Sequence, residues 1–512
     1  MDYCTVYKNI KTRKEGRQVK MKTQKFTILH SNDMHGDFLA EVREGSGHLI
    51  GGLALLSGYL NKVRGEEDNV IYVIAGDMVQ GSLIDSEYKG VSTIEIMNYL
   101  SPDVITLGNH ELDYGLPHLL FLEKVANFPI VNANLYIKQY GKRLMDPHVI
   151  MTIGGFNILF IGIITEKVMD ALALDQLIGT FVSIEDASEE IGKICNAYKN
   201  DDIDLTVALT HIGFESDIEL AKMLKPEWGV DMIIGGHSHT ILEQPEEVNN
   251  ILIAQAGTGT DQIGRFDIVV DDETNSIIEW KWELVPINNE TSEIDIDLES
   301  FINNYKNVVD EKYNAIITHF TEKLTHPKRE EETTLGNMIA DALAEASETQ
   351  IILIGSGSIR SNELGSVVTL GCLKACFPYD DPLTRFSING KQLRKIFSHI
   401  MRIENRDGEG ECFQINSRVK AVYSDSASKL VSITVDNIPV MDNQKYTITL
   451  QGYHFANSEA NLGISNHELL AMGSPRVVTT SDYQVLEEWL RSHPNVKTKI
   501  EGRIVFEEQK LG

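Results

Sequence analysis

Short apolar runs, each followed within a few positions by Asp, Asn or His, set the rhythm of the first half of this chain. Asp103-Val104-Ile105-Thr106-Leu107 reads as a buried strand and runs into Gly108-Asn109-His110-Glu111-Leu112-Asp113-Tyr114-Gly115. Phe26 to Leu29 leads to Asp33-Met34-His35, and Val70 to Ala75 leads to Gly76-Asp77. Leu205 to Thr210 ends in His211, and Met232-Ile233-Ile234 ends in Gly235-Gly236-His237-Ser238-His239. Between these strands, Gly52 to Val63, Ser92 to Leu100 and Ile184 to Ala197 read as helices. The alternation predicts an α/β domain from about Lys25 to Pro286, with helices outside the sheets. Open α/β sheets place their ligands at the carboxyl ends of strands. A single Gly-Asn-His-Glu turn is equally a polar turn capped by Asn109. Five successive strand ends carrying metal-type residues form a constellation that this simpler reading does not produce.

The ordered set D-x-H, G-D, G-N-H-E, H, G-H-x-H resembles the calcineurin-like metallophosphoesterases. The length and the second half of the chain narrow that resemblance to the 5'-nucleotidase branch, of the bacterial bifunctional 5'-nucleotidase/2',3'-cyclic phosphodiesterase type. The resemblance implies a four-layer αββα sandwich at residues 25–290. It also implies one metal held by Asp33, His35, Asp77 and His239, and a second held by Asp77, Asn109, His211 and His237, with Asp77 bridging. Donor chemistry agrees: a mixed nitrogen and oxygen set without cysteine suits Zn, Mn, Fe or Co rather than Ca. Two such cations can share a nucleophilic hydroxide and bind phosphoryl oxygens. His110 would stabilise the transition state or protonate the leaving group, with Asp113 orienting its ring.

Beyond this domain, Glu293 to Lys323 is charged and repeats apolar residues at helical spacing (Phe301, Tyr305, Val308, Val309, Tyr313, Ile316, Ile317), which predicts a linker helix at 291–323. A second α/β (α+β) domain is expected over 324–512. Its Gly336-Asn337-Met338-Ile339-Ala340-Asp341-Ala342 is closely similar to a 5'-nucleotidase C-terminal signature. The strand Gln350 to Ile354 runs into Gly355-Ser356-Gly357-Ser358-Ile359-Arg360, where backbone amides can approach a phosphate and Arg360 can fork onto its oxygens. The resembled family clamps a nucleobase between two aromatic rings, for which Phe413 and Phe455 are the candidates, while Asn461 stands where a ribose-binding Asp is expected. The pattern departs from the family at Gly355, at Asp380-Asp381 and at Glu459-Ala460-Asn461-Leu462-Gly463.

With 512 residues and 42% apolar content, two domains are the natural expectation. A formal net charge of -29 argues against a nucleic-acid polymer as partner, but not against a small nucleotide bound at a dinuclear metal centre. Five scattered cysteines exclude a disulfide framework, and Cys372 and Cys376 read as two buried thiols on one helix. Residues 1–24 are basic, lack an apolar signal segment and are expected to form a disordered extension, and Met21 is an alternative start. No run is apolar enough to span a membrane, and the missing signal segment makes the cytoplasm the expected compartment. The expected activity is metal-dependent release of phosphate from nucleoside 5'-monophosphates. A 2',3'-cyclic-nucleotide phosphodiesterase, a nucleotide-sugar hydrolase, or a nucleotide-binding protein on an inactive scaffold are the alternatives.

Overall fold

The computed structural model describes residues 23–42, 47–137, 140–165, 178–181, 183–406, 411–471 and 473–507. The extension read at 1–24 lies outside them up to Lys22, and the first strand already begins at Thr23. Two compact units divide the chain, Met1–Val309 and Asp310–Gly512.

Two six-stranded sheets build the first unit. One has the order Ser276–Pro286, Gln262–Asp271, Thr23–Ser31, Val70–Ala75, Val104–Thr106, Ile130–Val131. The other runs Glu246–Val248, Ile251–Ala254, Met232–Ile234, Leu205–His211, Phe156–Ile164, His148–Ile153. The central strands of each sheet are parallel and the outer partners antiparallel. Alternation along the strands decides the layering. Phe26, Ile28, Ile71 and Val73 of the first sheet pack with Phe156, Ile158, Phe160 and Val207 of the second in one buried cluster, so the sheets lie face to face. The alternate residues of the second sheet, among them Leu159, Ile161 and Ile233, pack against Ile191, Ile194 and Leu220 of the helices Ile184–Ala197 and Phe214–Met223. On the far side of the first sheet, Arg265 stands across from Leu29 and reaches the Tyr59 hydroxyl of the helix Leu53–Glu66 (3.5 Å). The order is therefore helix, sheet, sheet, helix. Because the central strands are parallel, their carboxyl ends collect on one edge.

The second unit has a five-stranded sheet, Phe413–Ile415, Ile351–Gly355, Lys445–Gln451, Leu383–Asn389, Arg476–Thr479, and a four-stranded one, Ile438–Pro439, Lys429–Val435, Val419–Ser424, Ile504–Glu507. The amphipathic helix expected after Glu332 is Thr334–Ala346; the Thr333 hydroxyl caps it by accepting from the Gly336 amide (3.0 Å).

Two sequence readings change in detail. The helix read over Glu293 to Lys323 covers Ile296–Tyr313 only, and Ile316 and Ile317 begin a strand, Ile316–His319, paired with Val367–Thr369. The run Ile-Ile-Thr is β-branched throughout and favours the extended state. Cys376 is buried at the end of the helix Leu370–Cys376, whereas Cys372 is exposed, so the expected pair of buried thiols is a single one. Among the described residues, no helix is long and apolar enough to cross a membrane.

Candidate functional site

Every metal-type residue singled out in the sequence sits at or just beyond the carboxyl end of a parallel strand. Asp33 and His35 follow Thr23–Ser31, Asp77 follows Val70–Ala75, and Asn109 and His110 follow Val104–Thr106. His211 closes its own strand, and His237 and His239 follow Met232–Ile234. Donor atoms of Asp33, His35 and His239 lie within 4.8 Å of one another, and so do those of Asp77, His211 and His237. Asn109 Oδ1 joins the second group, 2.8 Å from His237 Nδ1. Asp77 also groups with His35 and His110, so its carboxylate stands between the two sets.

The backbone is strained to bring them there. Asp33 (φ 51°), His35 (48°), Asp77 (52°), His237 (82°) and His239 (53°) all adopt the left-handed region, at a cost of order 1–3 kcal/mol each for residues other than glycine. Neighbouring loops hold this geometry: the Asp33 amide donates to the Gly76 carbonyl (3.1 Å) and the His35 amide to that of Asp77 (3.0 Å). Glu111, 2% exposed, accepts from the amides of Asp77 (3.1 Å), Met78 (2.7 Å) and Gly108 (2.7 Å) and so ties two strand ends together. Burial, reinforced by the Asp77 charge, pushes its carboxyl up to about 7. Gly108 is needed for close approach, since a Cβ there would collide with Asp77 Oδ1.

On the second sheet, buried Asp217 accepts from Thr210 Oγ1 (2.6 Å) and Gln255 Nε2 (3.0 Å), and Gln255 Oε1 accepts from Ser238 (3.0 Å). Asn32 donates to the Gly257 carbonyl (2.7 Å) and to Asp33 Oδ2 (2.6 Å). These braces, Glu111, Asn32, Asp217 and Gln255, have no role in the sequence reading. Glu111 lies inside the quoted motif, and its signal was a carboxylate next to an apolar turn residue.

Tautomers follow from the partners. His35 Nδ1 faces the Gln80 carbonyl (3.1 Å) and His211 Nδ1 the Ala75 carbonyl (2.8 Å), so both Nδ1 atoms carry hydrogen and both Nε2 lone pairs point inward. His35 Nε2 is 3.1 Å from His239 Nε2. His211 Nε2, fully buried and satisfied by no hydrogen bond among the described residues, lies 3.0 Å from Asp77 Oδ2. Opposing burial, the Asp77 carboxylate raises the His211 pKa and His211 lowers that of Asp77. Lone pairs and carboxylates converging without matching donors fit divalent cations, for which a carboxylate can serve two ions at once. Beside them, His110 Nδ1 is 2.7 Å from Asp113 Oδ2, and that hydrogen bond pushes the imidazole up to about 9.

The second unit carries a cavity of about 490 Å³. It forms where the adjacent parallel strands Ile351–Gly355 and Lys445–Gln451 end, the first giving Gly357, Ser358 and Arg360 and the second Tyr453 and His454. Arg329, Tyr379, Asp380, Asp381 and Glu411 complete the wall. The Arg360 guanidinium lies over the Tyr379 ring, 5.2 Å from its centroid, and Nε donates to the hydroxyl (3.0 Å). Phe413, Phe455 and Asn461 do not line this cavity. Phe413 is 5% exposed within the core, and Phe455 packs on Phe386 at 4.9 Å between centroids. Phe413 belongs to the buried core, whereas Phe455 is only partly buried against it. Asn461 lies half-buried on the short helix Ser458–Leu462.

Comparison with known proteins places this geometry. Residues 26–240 match the calcineurin-like phosphoesterase family and residues 316–462 the 5'-nucleotidase C-terminal domain. The trifunctional nucleotide phosphoesterase protein YfkN of Bacillus subtilis is 26% identical over 93% of the chain, which spans only 34% of that protein. The snake venom 5'-nucleotidase of Crotalus adamanteus is 26% identical, covering 94% of the chain and 88% of the relative, and the mouse 5'-nucleotidase 26% identical, covering 94% and 90%. In fold, the chain is similar to a 5'-nucleotidase precursor from Thermus thermophilus (TM-score 0.62, 23% identity, 94% and 99% covered). It is also similar to a putative 5'-nucleotidase from Staphylococcus aureus (TM-score 0.66, 19% identity, 95% and 100% covered). With both family segments present in order, and a cluster of Asp and His donors where the first places its chemistry, the chain belongs to the calcineurin-like phosphoesterases, among the hydrolases that carry a 5'-nucleotidase C-terminal domain.

Proposed function

We propose that the protein hydrolyses nucleoside 5'-monophosphates to nucleosides and phosphate, serving nucleotide catabolism. The observation that carries this reading is the convergence of two donor groups on either side of Asp77. Asp33, His35, Asp77 and His239 would hold one divalent cation and Asp77, Asn109, His211 and His237 the other, drawn from Zn, Mn, Fe or Co. Such a pair, when bound, supplies Lewis acidity toward the phosphoryl oxygens and a water activated for in-line attack.

The chain's own residues do the remainder. His110, its Nδ1 engaged by Asp113, presents the opposite ring edge to the phosphoryl group and gives a proton to the departing ribose oxygen. Asp113 keeps the imidazole oriented and protonated for that transfer. Arg360 and Arg329, on the cavity wall of the second unit, offer guanidinium donors for holding a nucleotide there. Phosphate release from AMP, measured on chelator-treated protein resupplied with Mn or Zn, is expected to return with the metal. Folded protein that releases none with any of the four metals would overturn the proposal.

A further inference from the structure

Asp85 is fully buried (0% exposed) on the short helix Leu83–Tyr88, and it belongs to none of the metal-type donor groups among the described residues. A carboxylate is costly to bury unless donors surround it. Three do so here. The Thr93 hydroxyl donates to Oδ1, the Gln80 amide to Oδ2 (2.9 Å), and the Tyr114 hydroxyl also to Oδ2 (3.3 Å). Thr93 stands on the next helix, Val91–Leu100, but Gln80 and Tyr114 belong to the loops that carry Asp77 and His110.

Gln80 is held at both of its backbone polar groups. Its φ of 68° lies in the left-handed region, where a residue with a side chain stays only if its surroundings hold it. Asp85 holds the amide, and the carbonyl faces His35 Nδ1 (3.1 Å). Release of the amide lets the backbone at Gln80 relax, and the carbonyl that keeps hydrogen on His35 Nδ1 moves with it. Gly81 lets the loop pass close by, since a Cβ there would meet the His35 carbonyl oxygen at 2.1 Å.

Tyr114 serves the neighbouring turn in the same way. It follows Asp113, whose Oδ2 is 2.7 Å from His110 Nδ1, and its anchored hydroxyl restrains that turn. The rings of His35 and His110 are 5.3 Å apart. One carboxylate oxygen therefore stands behind two adjacent imidazoles, reaching each through a different loop.

We infer that Asp85 is a positioning residue that sets His35 and His110 together. Through Gln80 it fixes which ring nitrogen of His35 faces the first cation position, and through Tyr114 it steadies Asp113 and so the proton donor. This rests on the reading of His35 as a ligand and His110 as a proton donor given above, and adds the residue that couples them.

The test measures Mn binding to the metal-free full chain by calorimetry, beside kcat and KM on p-nitrophenyl phosphate, with thermal unfolding as the check on folding. In Asp85→Ala, one of the two Mn ions should bind about tenfold more weakly. In a His35→Ala background the same change should weaken Mn binding no further, because Asp85 acts through that ring. Asp85→Asn keeps an oxygen for the Gln80 amide and turns its nitrogen to the Thr93 hydroxyl, which can accept, so Mn affinity should stay within about threefold of wild type. Tyr114→Phe should keep Mn affinity and KM and lower kcat about fivefold, the loss of one hydrogen bond.

Losses of Mn affinity that add in the double variant would overturn the inference, since Asp85 would then be a general support of the fold. So would an Asp85→Asn protein as impaired as Asp85→Ala, or an unchanged kcat in Tyr114→Phe. Full Mn binding by His35→Ala alone would overturn the ligand reading, and this inference with it. Should Asp85→Ala fail to fold, the Asp85→Asn and Tyr114→Phe proteins decide the matter.

Discussion

The metal-type cluster of the first unit and the cavity of the second are both built at the ends of parallel strands, but they are fixed in different ways. In the first, the backbone does the positioning: five of the donors sit at left-handed φ, and Glu111, buried at 2% exposure, ties their loops together through main-chain amides. In the second, side chains do it: Arg360 leans on Tyr379, and Glu411 and His454 fill space that a glycine leaves. A site locked by strained backbone tolerates little variation in sequence. A site assembled from side chains on a shared frame can be retuned one residue at a time.

If that contrast holds, changes in the first unit abolish activity and changes in the second redirect or weaken it. The largest effect is expected for Asp77→Ala, which removes the carboxylate shared by both donor groups; metal content and kcat should both collapse, the latter by roughly 10⁴-fold. His110→Ala should lower kcat by about 10³-fold while leaving bound metal unchanged. Metal loss in that variant would make His110 a ligand rather than a proton donor. Gly108→Ala forces a Cβ into Asp77 and should destabilise the first unit by about 1–3 kcal/mol, seen in denaturant unfolding, with weaker metal binding.

Arg360→Ala should mainly raise KM, by about ten- to a hundredfold, with kcat nearly kept. The smallest effect concerns pH. Burial raises Asp482 to about 7 from its ordinary range near 4. Its contribution to stability is therefore fully present below that ordinary value and is lost as pH rises through about 7. Thermal unfolding of the second unit should occur at lower temperature at pH 8 than at pH 5, and Asp482→Asn should flatten that slope.

The same contrast explains what could be read from the chain. Asp33, His35, Asp77, Asn109, His211, His237 and His239 each stand within a few residues of an apolar strand, so strand placement locates them and parallel order gathers them. Asn32, Asp217 and Gln255 brace the site from inside the fold, through contacts as distant as Asn32 with Gly257, which no local pattern exposes. Phe413 and Phe455 show the opposite difficulty. An aromatic residue near a motif looks the same in sequence whether it faces ligand or core; in the structure Phe413 is buried in the core cluster and Phe455 is only partly buried against it. Arg360, which lines the cavity, follows a glycine-rich turn that marks it in the sequence. Arg329 and His454 carried no such local mark.

Metal analysis of wild-type protein purified without chelator, set beside the Asp77→Asn protein, tests the central claim most directly. The account predicts a pair of divalent ions per wild-type chain and loss of metal from the variant, with AMP hydrolysis falling in step. Wild-type protein that is folded and hydrolyses AMP with no bound divalent metal, or a variant that keeps both ions, would contradict it.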